Sequence, residues 1–69
     1  MKNRIQELRK ANKITQNELA EAVDVTRQTI ISIENGKYNA SIILAHKIAQ
    51  FFNLTIEEIF IFDLEEENL

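Results

Sequence analysis

Cysteine and proline are both absent from this chain of 69 residues, and glycine and histidine occur once each. Without cysteine there is neither a disulfide framework nor a thiolate metal site, and the absence fits a reducing compartment. Without proline, and with a single glycine, few residues interrupt helices; together with 45% hydrophobic content this predicts a compact helical fold and argues against disorder. The lone histidine, His46, has no companions for a metal and reads as a surface residue. No glycine-rich phosphate loop and no nucleophile-base set are present, so neither enzymatic activity, nor a cofactor, a metal or a small-molecule ligand is expected. No apolar run approaches the roughly 20 residues of a membrane span. No charged-apolar-small leader opens the chain, so the mature protein is expected to be the whole chain, cytoplasmic and nucleoid-associated. Residues 1–69 read as one domain, which at this size buries only roughly 60% of its unfolded surface.

Charge is unevenly distributed. The total is −3. Residues 1–37 nevertheless carry +2, from Lys2, Arg4, Arg9, Lys10, Lys13, Arg27 and Lys37 against Glu7, Glu18, Glu21, Asp24 and Glu34. Residues 38–69 carry −5, with Lys47 opposed by Glu57, Glu58, Asp63, Glu65, Glu66 and Glu67. Attraction to phosphates acts locally and is screened beyond about 8 to 10 Å, so the basic half can meet a polyanion despite the total.

That half contains the stretch TQNELAEAVDVTRQTIISIENG, residues 15–36. Thr15 with Glu18 has the spacing of a capping box, and Leu19, Ala22 and Val23 recur on one helical face. A tight turn at Ala22-Val23-Asp24-Val25 leads to Thr26, a second cap, and to Ile30 and Ile33 on one face. Asn35-Gly36 closes that helix, because glycine accepts a left-handed backbone without steric cost. A helix with a narrow apolar stripe that presents Arg27, Gln28, Thr29 and Ser32 carries the inventory that base edges and phosphates require. Caps and stripe alone would equally suit any helical hairpin.

The flanks complete an all-α plan of five helices. A first helix spans about Asn3 to Asn12, with Ile5 and Leu8 inward and Asn3 with Gln6 resembling a capping box. Lys10 and Lys13 suit the negative end of its dipole, as phosphate contacts or as solubilising charge. Arg9 is expected to pair with Glu34. Ser41 caps a fourth helix whose Ile42, Leu44, Ala45, Ile48, Ala49 and Phe52 predict deep burial. Asn53 ends it, and Thr55 with Glu58 opens a fifth, from which Ile56, Ile59 and Phe60 pack inward. From Ile59 to Leu64 the pattern turns β-like, with Phe60, Phe62 and Leu64 alternating. An unpaired apolar strand invites association, so residues about 61–65 are expected to form a short strand within a homodimer interface, about residues 59–66, that uses Phe60, Ile61, Phe62 and Leu64. The alternative is a continued helix whose Phe62 and Leu64 cover the same chain's core.

The runs Thr15-Gln16-Asn17-Glu18-Leu19-Ala20, Val25-Thr26-Arg27-Gln28-Thr29-Ile30 and Ile33-Glu34-Asn35-Gly36-Lys37-Tyr38 resemble the lambda repressor and Cro-like helix-turn-helix family, the Xre-type regulators of bacteria and phages. The resemblance covers about residues 3–60. It implies a five-helix lambda-repressor-like domain that binds double-stranded DNA, with Arg27, Gln28, Ile31 and Ser32 facing bases in the major groove. Ile31 is either a thymine-methyl contact or an exposed aliphatic. It implies phosphate contacts from Gln16, Thr26, Thr29, Asn35, Lys37 and Tyr38, a small residue at Ala20 where two helices cross, and the Arg9–Glu34 pair. Asp24 stands where many members have glycine, a turn position of positive φ that aspartate tolerates. The functional expectation is a sequence-specific transcriptional regulator acting as a repressor, dimeric on an inverted-repeat operator. The alternative is a protein-interaction module, such as an antitoxin or anti-repressor, that uses the acidic, apolar C-terminus.

Overall fold

A computed structural model describes residues 2–61. They form five helices: α1 Ile5–Ala11, α2 Gln16–Ala22, α3 Arg27–Glu34, α4 Ile42–Phe52 and α5 Ile56–Ile59. Each helix sends at least one side chain to a common centre made of Ile5, Leu19, Ile30, Ile33, Ile48 and Ile59, all essentially free of solvent contact. Burying each such aliphatic contributes about 1.5 to 3 kcal/mol, so this convergence is the main force holding five short helices together. Ala20, buried in α2, leaves room for the close packing of α2 on α3.

Hydroxyl residues start four of the five helices. Thr15, Thr26, Ser41 and Thr55 each accept a hydrogen bond from the backbone N–H three positions on. At Thr15 and Thr55 the reciprocal glutamate completes a capping box. Each such cap is worth about 1 kcal/mol, a large share for helices this short.

The helix ends share a different device. Lys13, Asp24, Gly36 and Asn53 have φ of 57, 62, 75 and 58°. Each left-handed residue returns its N–H to the carbonyl three positions back. The next residue, Ile14, Val25, Lys37 or Leu54, returns its own to the carbonyl five back, on Arg9, Ala20, Ser32 or Ala49. This pairing satisfies carbonyls that a helix end otherwise leaves open. One glycine therefore suffices because three other residues accept the same backbone conformation.

Three expectations need correction. The first helix begins at Ile5, not Asn3, and Arg4 at its cap position supplies no side-chain capping bond. The Asn3–Gln6 box does not form; Asn3 Oδ1 accepts from the Ile5 N–H at 3.1 Å, while its amide group is committed to Ile33. In α4 only Leu44, Ala45, Ile48 and Ala49 are buried, whereas Ile42 is 78% exposed. Residues 42, 43, 46, 47, 50 and 51 all fall on the outer half of α4, over which no described element packs, so Ile43 and Phe51 are exposed as well.

At Phe60 the backbone becomes extended. Phe60 bridges antiparallel to Asn3, flanked by Arg4 N–H to the Ile59 carbonyl and Ile61 N–H to the Lys2 carbonyl, both 2.8 Å. Among the described residues this bridge is the whole of the β structure. Phe60 is 4% exposed and packs into its own chain's core, so it is not at the surface where an interface residue was expected. Ile61 remains 45% exposed. Phe62, Leu64 and the rest of the expected strand lie outside the described residues.

Candidate nucleic-acid interface

The outer face of α3 follows from its inner one. With Ile30 and Ile33 buried, a repeat of 3.6 residues turns Arg27 and Gln28 fully outward and leaves Ile31 and Ser32 half-buried at the edge of that surface. Thr26 stands at the start of the helix, where its Oγ1 accepts from the Thr29 N–H at 3.3 Å and lies 3.0 Å from the Thr29 hydroxyl. Beyond the helix, Asn35, Lys37 and Tyr38 are exposed on the loop that Gly36 turns.

The last turn of α3 is held by a buried polar network. Arg9 Nε donates to Glu34 Oε2 at 2.8 Å and Arg9 Nη2 to Glu34 Oε1 at 3.3 Å. Arg9 Nη1 donates to the Ile14 carbonyl at 3.0 Å, which fixes the loop that enters α2. Gln16 Nε2 adds a bond to Glu34 Oε1 at 3.1 Å. The side chains of Arg9 and Glu34 are 10% and 4% exposed, so the pair is shielded from screening by salt. Gln16 matches a position that in the family typically contacts phosphate and braces the recognition helix, and this bond to Glu34 ties it to α3.

Thr15, Gln16, Asn17, Arg9 and Arg27 line an open cleft of about 620 Å³ between the starts of α2 and α3. Its chemistry is that of hydroxyl, amide and guanidinium donors, the groups that meet phosphate and base oxygens. Glu18, close by in sequence, is turned to the α2 cap. The Thr15 N–H and hydroxyl hold its carboxyl below the ordinary value, and Thr55 does the same to Glu58.

The structure gathers Gln16, Thr26, Arg27, Gln28, Thr29, Ile31 and Ser32 on α3 and the adjoining end of α2, with Asn35, Lys37 and Tyr38 on the loop that leaves α3. It places Ile61 elsewhere, on the extended segment paired with the N-terminus. Among the contacts that sequence reasoning missed, two join a side chain to a backbone carbonyl remote in sequence. Asn3 Nδ2 donates to the Ile33 carbonyl at 2.9 Å across 30 positions, and Arg4 Nη1 donates to the Glu58 carbonyl at 3.1 Å. Neither leaves a local signal, because their partners are backbone carbonyls remote in sequence.

Comparisons with known proteins agree with this geometry. A family model described as helix-turn-helix matches residues 5–59. An HTH-type transcriptional regulator of Archaeoglobus fulgidus is 56% identical over 66 residues, 96% of this chain and 93% of the relative. Another, from Methanocaldococcus jannaschii, is 50% identical over 66 residues, 96% of this chain and 100% of the relative. Among solved structures, the restriction-modification controller protein C.AhdI from Aeromonas hydrophila is similar with a TM-score of 0.76 and 30% identity, over 83% of this chain and 86% of that one.

Proposed function

The chain belongs to the helix-turn-helix family of DNA-binding transcriptional regulators, which are not enzymes, and we propose that it binds an inverted-repeat operator as a homodimer and represses transcription there. The observation that carries this reading is the outward row on α3, where Arg27 and Gln28 are exposed ahead of Ile31 and Ser32. In the major groove Arg27 pairs with guanine O6 and N7 and Gln28 with adenine N6 and N7, while Ile31 meets a thymine methyl. Thr26, Thr29, Gln16, Asn35, Lys37 and Tyr38 contact the flanking phosphates and set the register.

One α3 reads only a half-site, which is why the reading includes a second copy. Two recognition helices on one face of B-DNA sit roughly 34 Å apart, so the operator is an inverted repeat of that spacing. Ile61, with Phe62 and Leu64, supplies the contact between copies, and Phe60 stays in its own core. Repression follows where such a site overlaps a promoter, because the bound dimer occludes it.

Selection of bound duplexes from a random pool tests the whole reading. The expected product is two inverted half-sites about one helical turn apart, each with a guanine and an adenine at neighbouring positions. A single unpaired half-site would remove the dimer, and no enrichment would remove sequence-specific binding. Failure to bind even random duplex in about 50 mM salt would favour a module that captures a protein through its acidic C-terminal half.

A further inference from the structure

We infer that Asn3 is a positioning residue for DNA binding, which acts by holding the carbonyl end of α3 and with it the loop that carries Asn35, Lys37 and Tyr38. The inference rests on the reading of that loop as a phosphate-binding element. Ile33 lies in the last turn of α3, and its carbonyl accepts from the Asn3 amide at 2.9 Å and from the Gly36 N–H at 2.9 Å. A carbonyl has two lone pairs, so both bonds form together. Gly36 is the left-handed residue that turns the loop, and the Lys37 N–H closes the same motif on the Ser32 carbonyl at 3.1 Å. Asn3 therefore donates to the same carbonyl on which the loop's turn is hinged.

The other end of this contact is anchored. The Asn3 backbone is bridged to Phe60, between the 2.8 Å bonds that join Arg4 to Ile59 and Ile61 to Lys2. Asn3 Oδ1 accepts from the Ile5 N–H at 3.1 Å, which fixes the rotation of the amide and aims Nδ2 at Ile33. Two devices thus hold one turn: Arg9 and Gln16 grip the Glu34 side chain, and Asn3 grips the main chain one residue earlier. The first sets how α3 lies against α1 and α2. The second sets the direction in which the chain leaves α3. Asn3 itself need not touch DNA to affect binding.

The test compares the full-length wild type with Asn3→Ser, Asn3→Ala, Lys37→Ala and the double variant Asn3→Ala/Lys37→Ala, titrated with random-sequence duplex at about 50 mM salt, where phosphate contacts dominate. Serine keeps a short acceptor for the Ile5 N–H but cannot reach Ile33, so it separates a role in starting α1 from the role proposed. Circular dichroism identifies a temperature at which every variant is folded, and affinities are compared there. Asn3→Ser and Asn3→Ala are each expected to weaken binding about threefold to tenfold, the loss associated with one hydrogen bond. Because Asn3 acts through the loop that carries Lys37, the double variant is expected to lose clearly less than the product of the two single losses. Wild-type affinity in Asn3→Ser, or losses that multiply in the double variant, would overturn the inference while leaving the DNA-binding reading intact. Wild-type affinity in Lys37→Ala would overturn the reading of the loop itself, and the inference with it.

Discussion

Arg9 and Glu34 stand 25 positions apart and meet through two N–H to carboxylate contacts, 2.8 and 3.3 Å long, between α1 and the last turn of α3. Both Glu34 oxygens and all three Arg9 nitrogens have partners, and no buried side-chain nitrogen or oxygen among the described residues lacks one. Removing one member leaves the other charge buried and unpaired, which costs about 3 to 5 kcal/mol. Glu34→Ala and Arg9→Ala are each expected to fall by that amount in urea unfolding, close to the total stability of a domain this small. The double replacement Arg9→Met/Glu34→Leu should recover most of the loss, since no orphaned charge remains. A double variant as unstable as the two single losses combined would mean that the two residues are not coupled and that the single losses do not come from an orphaned charge.

The two kinds of DNA contact separate by their response to sequence and salt. Arg27→Ala is expected to relax preference at one base pair of each half-site by about 1 to 3 kcal/mol. Lys37→Ala is expected to weaken all duplexes alike and to lower the slope of log affinity against log salt by about 1. Titrations of matched and single-mismatch duplexes at several salt concentrations distinguish them, and the same response from both variants would mean that the roles are wrongly assigned.

Lys13, at φ 57°, adopts the left-handed backbone that Gly36 adopts at 75°, but with a β-carbon. Such a residue costs roughly 1 to 2 kcal/mol relative to a right-handed one, and asparagine or aspartate less. Lys13→Gly is therefore expected to stabilise the fold by about 0.5 to 1 kcal/mol after the greater entropy of unfolded glycine is counted. Asp24→Gly and Asn53→Gly should gain less. In a domain of this size a gain of 1 kcal/mol raises the thermal midpoint by roughly 4 to 8 °C, which calorimetry resolves readily. A midpoint lowered in Lys13→Gly would mean that the lysine side chain contributes more than its backbone costs.

Local signals were legible and distant ones were not. Thr15, Thr26, Ser41 and Thr55 announce their helices because a cap and its N–H lie three residues apart, and the isoleucine stripe of α3 needs only periodicity. Asn3 shows the limit of such reasoning. Its spacing to Gln6 imitates a capping box, yet an asparagine amide can donate as well as accept, and its carbonyl partner lies 30 positions away. Lys13 carried no signal either, since the left-handed turn there is imposed by closing α1 and not by the residue. In α4 the count of apolar residues suggested full burial. Burial depends on which half of the helix is covered, and Ile42 and Ile43 fall on the uncovered half. The groove-facing set needed a family pattern as well, because exposure identifies Arg27 and Gln28 without saying what they meet.

Acid is expected to loosen the starts of α2 and α5 together. The Glu18 and Glu58 carboxyls are held below 4.5, first by the backbone N–H and then by the hydroxyl of Thr15 and Thr55. A depressed folded pKa adds stability that is fully present above the unfolded pKa and is lost as pH falls through the folded value. Thermal midpoints measured from pH 7 downward should therefore drop below about pH 4.5, the ordinary glutamate value. Glutamine can serve the same box without titrating. Glu18→Gln/Glu58→Gln keeps the box but gives up its charge, so it is expected to be slightly less stable than the wild type near neutrality and to show a shallower decline in acid. An identical acid limb would place the lost stability elsewhere.

Phe60 is already committed to its own core, so in the proposed tail-mediated dimer the contact between copies falls to Ile61 and the residues after it. The Ile61 N–H is bonded to Lys2, but its side chain is 45% exposed. The full-length variant Phe62→Glu/Leu64→Glu adds two negative charges to an acidic tail and replaces no residue of the described core. In sedimentation equilibrium it is expected to be a monomer under conditions where the wild type is a dimer, with unchanged helical content. On an inverted-repeat duplex the loss of linkage between half-sites should cost on the order of a hundredfold or more in affinity, since tethering two sites commonly raises avidity by that amount. On a single half-site both proteins should bind alike. A variant that still sediments as a dimer would move the interface away from the tail, and the uncovered half of α4 with Ile42, Ile43 and Phe51 would then be the surface to mutate next.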